Sequence, residues 1–200
     1  MLVIEGPDMV GKSSLVAAVA AEAERHGFRV DVDKFGMAES HCMLKSCRQR
    51  VRSGVIADRC WVSEIIYGTV VGGDRPRVTP EESKEIYGLV KSAGGLVVVV
   101  TATETCYKEL VARHHARGEE YDIDTCSRVN ALYGELCRDF PSSTAGASRR
   151  HNSTLAKYGV HVDMHYAVRL SENGDVTYPS SDSEFVKFIV CAWKHKLHSN

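Results

Sequence analysis

Residues Gly6-Pro7-Asp8-Met9-Val10-Gly11-Lys12-Ser13 follow directly on the apolar run Leu2-Val3-Ile4. They form G-x-x-x-x-G-K-[ST] between an expected strand and an expected helix, the context that makes a P-loop credible. Gly6 and Gly11 let the backbone turn tightly, so that N–H groups converge on a phosphate with no Cβ in the way. A helix starting near Lys12 adds the positive end of its dipole and its unpaired first-turn N–H groups. Lys12 suits the β- and γ-phosphates, and the Ser13 hydroxyl suits Mg²⁺. The expected triphosphate contacts are therefore Gly6, Asp8, Met9, Val10, Gly11, Lys12, Ser13 and Ser14, with a nucleoside triphosphate and Mg²⁺ as the implied ligands. A second apolar run, Val55-Ile56-Ala57, ends on Asp58 and Arg59. A carboxylate at a strand's C-terminal end sits where α/β sheets bind ligands, and beside a P-loop it can hold Mg²⁺ through water. Arg59 offers a planar fork to a phosphate.

Strand-like and helix-like segments alternate along the chain and must position these groups, a pattern that favours a parallel sheet covered by helices. Leu15, Val16, Val19, Ala20 and Ala23 recur at helical spacing, and Gly27 supplies the stop. Phe28 to Val32 alternates like a strand, and a polar, basic helix is expected over Ser40 to Arg52. Trp61 to about Val70 reads as a helix, followed by the loop Gly72 to Pro76. Thr79 caps the next helix, with Pro80 at its first position and Glu82 closing a capping box. Gly94-Gly95 ends that helix before the all-apolar run Leu96 to Val100, which reads as a central strand. Thr103 starts a helix through Arg117, and another is expected from Ile123 to Phe140. Pro141 to Arg150 reads as a mobile connection. Val160 to Val162 and Ala167 to Leu170 read as strands, and Ser181 or Asp182 caps a final helix to about Lys196.

Two hundred residues suit a single domain. Twenty-five basic against 26 acidic residues leave no global field for a nucleic-acid or membrane partner. Seven scattered cysteines without a C-x-x-C suit a reducing compartment. A core strand at the second residue leaves no signal peptide, and no apolar run approaches the ~20 residues of a membrane span. The expectation is a soluble, cytoplasmic protein.

The stretch from Val55 to Tyr67 resembles the thymidylate kinase branch of the nucleoside-monophosphate kinases. That family carries a strand ending in Asp-Arg-aromatic, then Ser, then Ala-Tyr-Gln. Ser63 and Tyr67 fall at the family's spacing, while Cys60 replaces the aromatic and Gly68 the Gln. Ile4-Glu5 and the loop fit the family's Ile-Glu-Gly-x-Asp-x-x-Gly-Lys, so Asp8 matches a carboxylate that contacts the deoxyribose of the monophosphate. Glu104 lies at the position of a Pro-Glu helix start. Arg113 to Gly118, followed by Glu119-Glu120-Tyr121-Asp122, resembles the family's Arg-rich lid, and Arg128, Val129 and Tyr133 match its next helix. Lys34-Phe35-Gly36 is the nearest copy of the family's Phe-Pro-x-Arg, and Glu39 to Gly54 is shorter than its equivalent. Arg48, Arg50 and Arg52 supply charge there, with no aromatic evident among them.

The resemblance implies a three-layer P-loop kinase fold of about five parallel strands with helices on both faces. It implies one domain over residues 1–200, with the loop at 6–13, an acceptor segment near 34–75 and a short lid near 113–124. It also implies transfer of the γ-phosphate of ATP to dTMP or a related deoxynucleoside monophosphate, and a possible homodimer. Lys12, Asp58, Arg59, Arg113 and Arg117 are then the catalytic set, and Ser13 and Asp58 the metal pair. Asp8, Phe35, Arg48, Arg59, Ser63 and Tyr67 would contact the acceptor. Asp8 can alternatively stabilise its turn, Arg113 and Arg117 can be a solvated face, and Tyr67 can stack or simply pack. Cys60 beside Arg59 is either a thiol of lowered pKa or core filling. His161, Asp163 and His165 would share one strand face, a weak metal pattern. Another acceptor, or a nucleotide-binding protein without catalysis, stays open. A GTPase switch lacks its Asn-Lys-x-Asp reader.

Overall fold

The computed structural model describes residues 1–35, 43–73, 76–118, 122–138 and 155–198. Among these residues the chain alternates strand and helix: β1 (Leu2–Glu5), α1 (Lys12–Arg25), β2 (Asp31–Lys34), α2 (Met43–Arg50), β3 (Val55–Asp58) and α3 (Trp61–Val70). It continues with α4 (Pro80–Ser92), β4 (Leu96–Ala102), α5 (Glu104–His115), α6 (Ile123–Leu136), β5 (Met164–Leu170), β6 (Val176–Thr177) and α7 (Ser183–His198). Strand order is β2-β3-β1-β4-β5-β6. The first five strands pair in parallel, and β6 closes the edge antiparallel to β5. The sheet is thus mixed and six-stranded, one edge strand more than expected. That strand exists because Asn173-Gly174 turns the chain back, with Ser171 N–H bonded to the Asp175 carbonyl at 2.8 Å.

Helices on two faces account for the near-continuous apolar strands, which must bury both sides. Val3, Val55, Ala57, Val97 and Val99 face α2, α3, α4 and α6. Leu2, Ile4, Ile56, Val98 and Val100 face α1, α5 and α7. Alternate residues of one strand therefore feed separate cores.

Local signals hold where the chain supplies its own caps. Thr79 accepts from Glu82 N–H at 3.2 Å and the Glu82 carboxylate accepts from Thr79 N–H at 2.9 Å, a complete capping box. Asp182 caps α7 through Phe185 N–H at 3.0 Å. Tertiary contacts shift the other boundaries. β2 begins at Asp31, later than expected, because Phe28 instead sets its ring edge-on against Trp193 of α7, 5.2 Å away. One strand from Met164 replaces the two short ones read from the sequence. Asp163 starts it, bonding Val97 through its backbone N–H and its carboxylate, both at 2.8 Å. α5 ends at His115, where Arg117 and Gly118 fold back onto the carbonyls of His114 and His115. The expected helix start at 40–42, the acidic residues 119–121 and the connection 141–150 lie outside the described residues.

Asn130 of α6 clamps the end of β4, donating to the Ala102 carbonyl at 2.9 Å and accepting its N–H at 3.1 Å. Asn130→Ala is expected to lower stability by about 2 kcal/mol, since both partners are buried polar groups. Urea denaturation with an unchanged slope would register it.

Candidate functional site

Strand order reverses about β1, which has β3 on one side and β4 on the other. Open α/β sheets place their ligand crevice at such a point, outside the strands' C-terminal ends. A cleft of about 1060 Å³ lies there. The loop from Gly6 enters it under tight steric control. A Cβ on Gly6 would fall 2.1 Å from the Val100 carbonyl oxygen. Gly11 has φ 80°, and a Cβ there would meet the Tyr178 ring at 2.7 Å. α1 then starts at Lys12 with no side chain capping it and no acidic residue in its first turn. Its N–H groups and dipole present an unneutralised positive end.

Lys12 is buried and donates to the Pro7 carbonyl. Burial, and then the nearby Arg59 charge, push its ammonium down to about 7. Ser13 Oγ donates to Asp58 Oδ2 at 2.8 Å, joining the loop to the end of β3. Two oxygen donors at the helix start fit a hard cation. Arg59 follows in the left-handed region, at φ 69°, with its N–H bonded to the Ile4 carbonyl at 2.9 Å. A non-glycine residue held there stores about 1–3 kcal/mol that surrounding contacts must offset. Its guanidinium pairs with Asp8, whose other oxygen accepts from Tyr67 at 2.7 Å. Burial raises the Asp8 carboxyl, but Arg59, Tyr67 and Lys12 outweigh it and hold the group below its ordinary value.

Behind the cleft, Glu5 is fully buried at the end of β1. Its carboxylate takes Cys60 N–H at 2.7 Å, Ser63 N–H at 3.4 Å and the Ser63 hydroxyl at 2.5 Å. Tyr133 of α6 also reaches it, at 3.1 Å. Cys60 carries no side-chain cap of its own, so β1 caps α3 across the sheet. Burial raises the Glu5 pKa against the pull of Ser63, Arg59, Cys60 and Tyr133.

Asp8, Met9, Gly11, Lys12, Ser13 and Ser14 line the cleft, as do Phe35, Asp58, Arg59, Ser63, Tyr67 and Arg117. Ser63 spends its hydroxyl on Glu5 and on Tyr133 at 2.9 Å. Gly6 packs below the cleft, and the Val10 side chain belongs to the core. Two expected residues are placed elsewhere. Arg48 points out from α2 to Glu85 of α4, at 2.6 Å. Arg113 pairs with Glu109 at 2.8 Å and donates to the Gly174 carbonyl at 3.1 Å. Since α5 ends before Arg117, the two arginines do not share one helix face, and His114 lines the cleft instead. Phe35, just outside the basic helix, lies 4.3 Å below the Arg50 guanidinium. Burial, then Cys47 Sγ at 3.7 Å, raise the Cys60 thiol, so Cys60 is core filling. Asp163 is bound to Lys91 at 2.8 Å and His165 to Thr101 at 2.8 Å. No group of metal-ligating side chains of three or more forms among the described residues.

Lys34 of the expected acceptor segment also lines the cleft, as do Glu64, Arg77, Tyr178 and Ser180, which had no expected role. Glu64 had a signal, lying three residues before Tyr67 on one helix face. Tyr178 and Ser180 had none, because the β5–β6 return brings them to the loop.

No family model matches the chain, and no curated protein does. Among solved structures it is similar to the YorR protein of Bacillus subtilis, determined in complex with phosphorylated GDP. The match covers 97% of each chain, with TM-score 0.64 at 19% identity. The shared feature is the α/β fold, and it does not single out the thymidylate kinases. No described helix is long and apolar enough to cross a membrane.

Two outcomes are expected. Glu5 keeps its proton in the fold at pH values where the unfolded chain, with an ordinary value of 4.5, has lost it. Its stabilisation is therefore complete below that pH and fades as pH rises through the folded value. Glu5→Gln, compared with wild type by urea denaturation across pH, should gain relative stability as pH rises. Separately, a bound phosphate restores the Lys12 charge. A triphosphate seated on the loop should therefore bring more proton uptake at pH 8 than at pH 6, read by calorimetry in buffers of different ionisation heat.

Proposed function

We propose that the protein transfers the γ-phosphate of ATP to a deoxynucleoside monophosphate. The observation that supports this most is the pairing of two anion-binding halves in one cleft. Lys12, Ser13 and Asp58 form one half, and Arg59 with Asp8 and Tyr67 forms the other. A triphosphatase or switch needs only the first. A fold neighbour solved with phosphorylated GDP supports nucleotide binding in general.

Phosphoryl transfer needs alignment and charge neutralisation more than covalent chemistry. The backbone N–H groups of the loop and the start of α1 cradle the donor phosphates. Lys12 leaves the Pro7 carbonyl for them, gaining full charge as it does so. Ser13 Oγ and Asp58 would hold Mg²⁺, which would supply further positive charge at the phosphate oxygens. Arg59 has five N–H donors, so it can keep Asp8 and still hold the acceptor phosphate in line. Asp8, oriented by Tyr67, is left to position the acceptor sugar. Arg117 lines the same cleft and adds positive charge from the lid side.

Lys12→Ala should lower turnover of ATP with a monophosphate by about 10²–10³-fold, the usual loss for one electrostatic donor. Arg48→Ala removes only an exposed pair worth about 0–1 kcal/mol and should leave kcat/KM unchanged. A coupled assay on both variants, with circular dichroism to show the fold intact, checks the contrast. Wild-type turnover in Lys12→Ala would sink the proposal.

A further inference from the structure

Among the described residues three carboxylates line the cleft, and two are committed to the proposed phosphate machinery: Asp58 to Ser13, and Asp8 to Arg59 and Tyr67. The third, Glu64, has no part in it. Its side chain is only 10% exposed, and one oxygen, Oε2, accepts from Arg77 at 3.2 Å. It lies on α3 on the same face as Tyr67 and Val71, at helical offsets of three and seven residues. All three line the cleft. Phe35 lines the same cleft, its ring covered on one side by Arg50.

We propose that Glu64 reads the base of the acceptor, and that this base is guanine. The inference rests on the cleft holding a nucleoside monophosphate, as proposed above. A carboxylate is an acceptor-only group with two oxygens side by side. Guanine is the common base whose hydrogen-bonding edge offers two adjacent donors, N1–H and the N2 amino group. Thymine offers one N–H between two carbonyl oxygens, which a carboxylate repels. Adenine and cytosine each place a ring-nitrogen lone pair beside their amino group. Arg77 does not block the site, because each carboxylate oxygen can accept more than one hydrogen bond. It instead supplies the counter-charge that a nearly buried carboxylate requires. Sites built to hydrogen-bond a particular donor reject ligands that lack it, because the buried group is then left unpaired.

Calorimetric titration of wild type with dGMP, dIMP and dTMP tests this, dIMP being the same nucleotide without the N2 amine. dGMP should bind about 10- to 100-fold tighter than dIMP, the factor for one hydrogen bond to a charged group, and tighter than dTMP. Glu64→Gln keeps the side-chain shape but one acceptor only, so the dGMP-to-dIMP ratio should fall toward unity. The wild-type comparison stands whether or not that variant folds. Equal binding of dGMP and dIMP, or tighter binding of dTMP, overturns the guanine assignment and leaves the acceptor cleft standing. No binding of any of the three overturns the monophosphate reading itself, and this inference with it.

Discussion

One buried carboxylate ties the structure's working parts together. Glu5 sits at the end of β1, where the loop begins, and its oxygens reach the first turn of α3 and Tyr133 of α6. A helix N-terminus ordinarily finds its cap in the residue just before it. Here Cys60 cannot serve, and the cap comes from a neighbouring strand. The consequence is geometric. Arg59 is held between β3 and a helix whose start is fixed to the strand that launches the loop. The distance between the two halves of the cleft is therefore set by the core rather than by loops. A buried acid without partners would be strongly unfavourable, so the arrangement persists only while all three elements are in place.

The cleft in front of Glu5 alternates cations and carboxylates. Lys12 and Arg59 repel each other, and Asp8 stands between them as their shared counter-charge. Burial leaves Lys12 with a weakened hold on its proton, and Asp8 works against that loss. The left-handed backbone at Arg59 belongs to the same logic. Strain at that residue aims the guanidinium into the cleft, held by the Ile4 carbonyl behind it. Outside this region the protein is a conventional doubly covered sheet, and its surface ion pairs, such as Arg48 with Glu85, contribute little.

Much of this was readable before the fold was known, for reasons of locality. The loop, the strand ending on Asp58 and the capping box at Thr79 each lie within a few consecutive residues, so spacing alone carries them. All-apolar strands also announced a sheet buried on both faces. What escaped depended on distant chain returning to the site. β6 exists because of a turn at Asn173-Gly174, and that return brings Tyr178 against Gly11. Arg77 reaches Glu64 across a loop with no periodic signal. Where Arg48 and Arg113 point is not legible locally, because a basic side chain carries no mark of direction in the sequence. Both found acidic partners on the surface. In the sequence Glu5 is only a neighbour of the loop, since nothing there shows that an acid at a strand end is buried.

The central claim is that two phosphate-binding halves face each other across one cleft, with Lys12 on one side and Arg59 on the other. A crystal structure with adenosine and a deoxynucleoside joined through five phosphates tests it most directly. The phosphate chain should run from Lys12 and the start of α1 to Arg59, with Tyr67 and Asp8 at the deoxyribose. A compound seated on the loop alone, with its second nucleoside in solvent and Arg59 untouched, would contradict it.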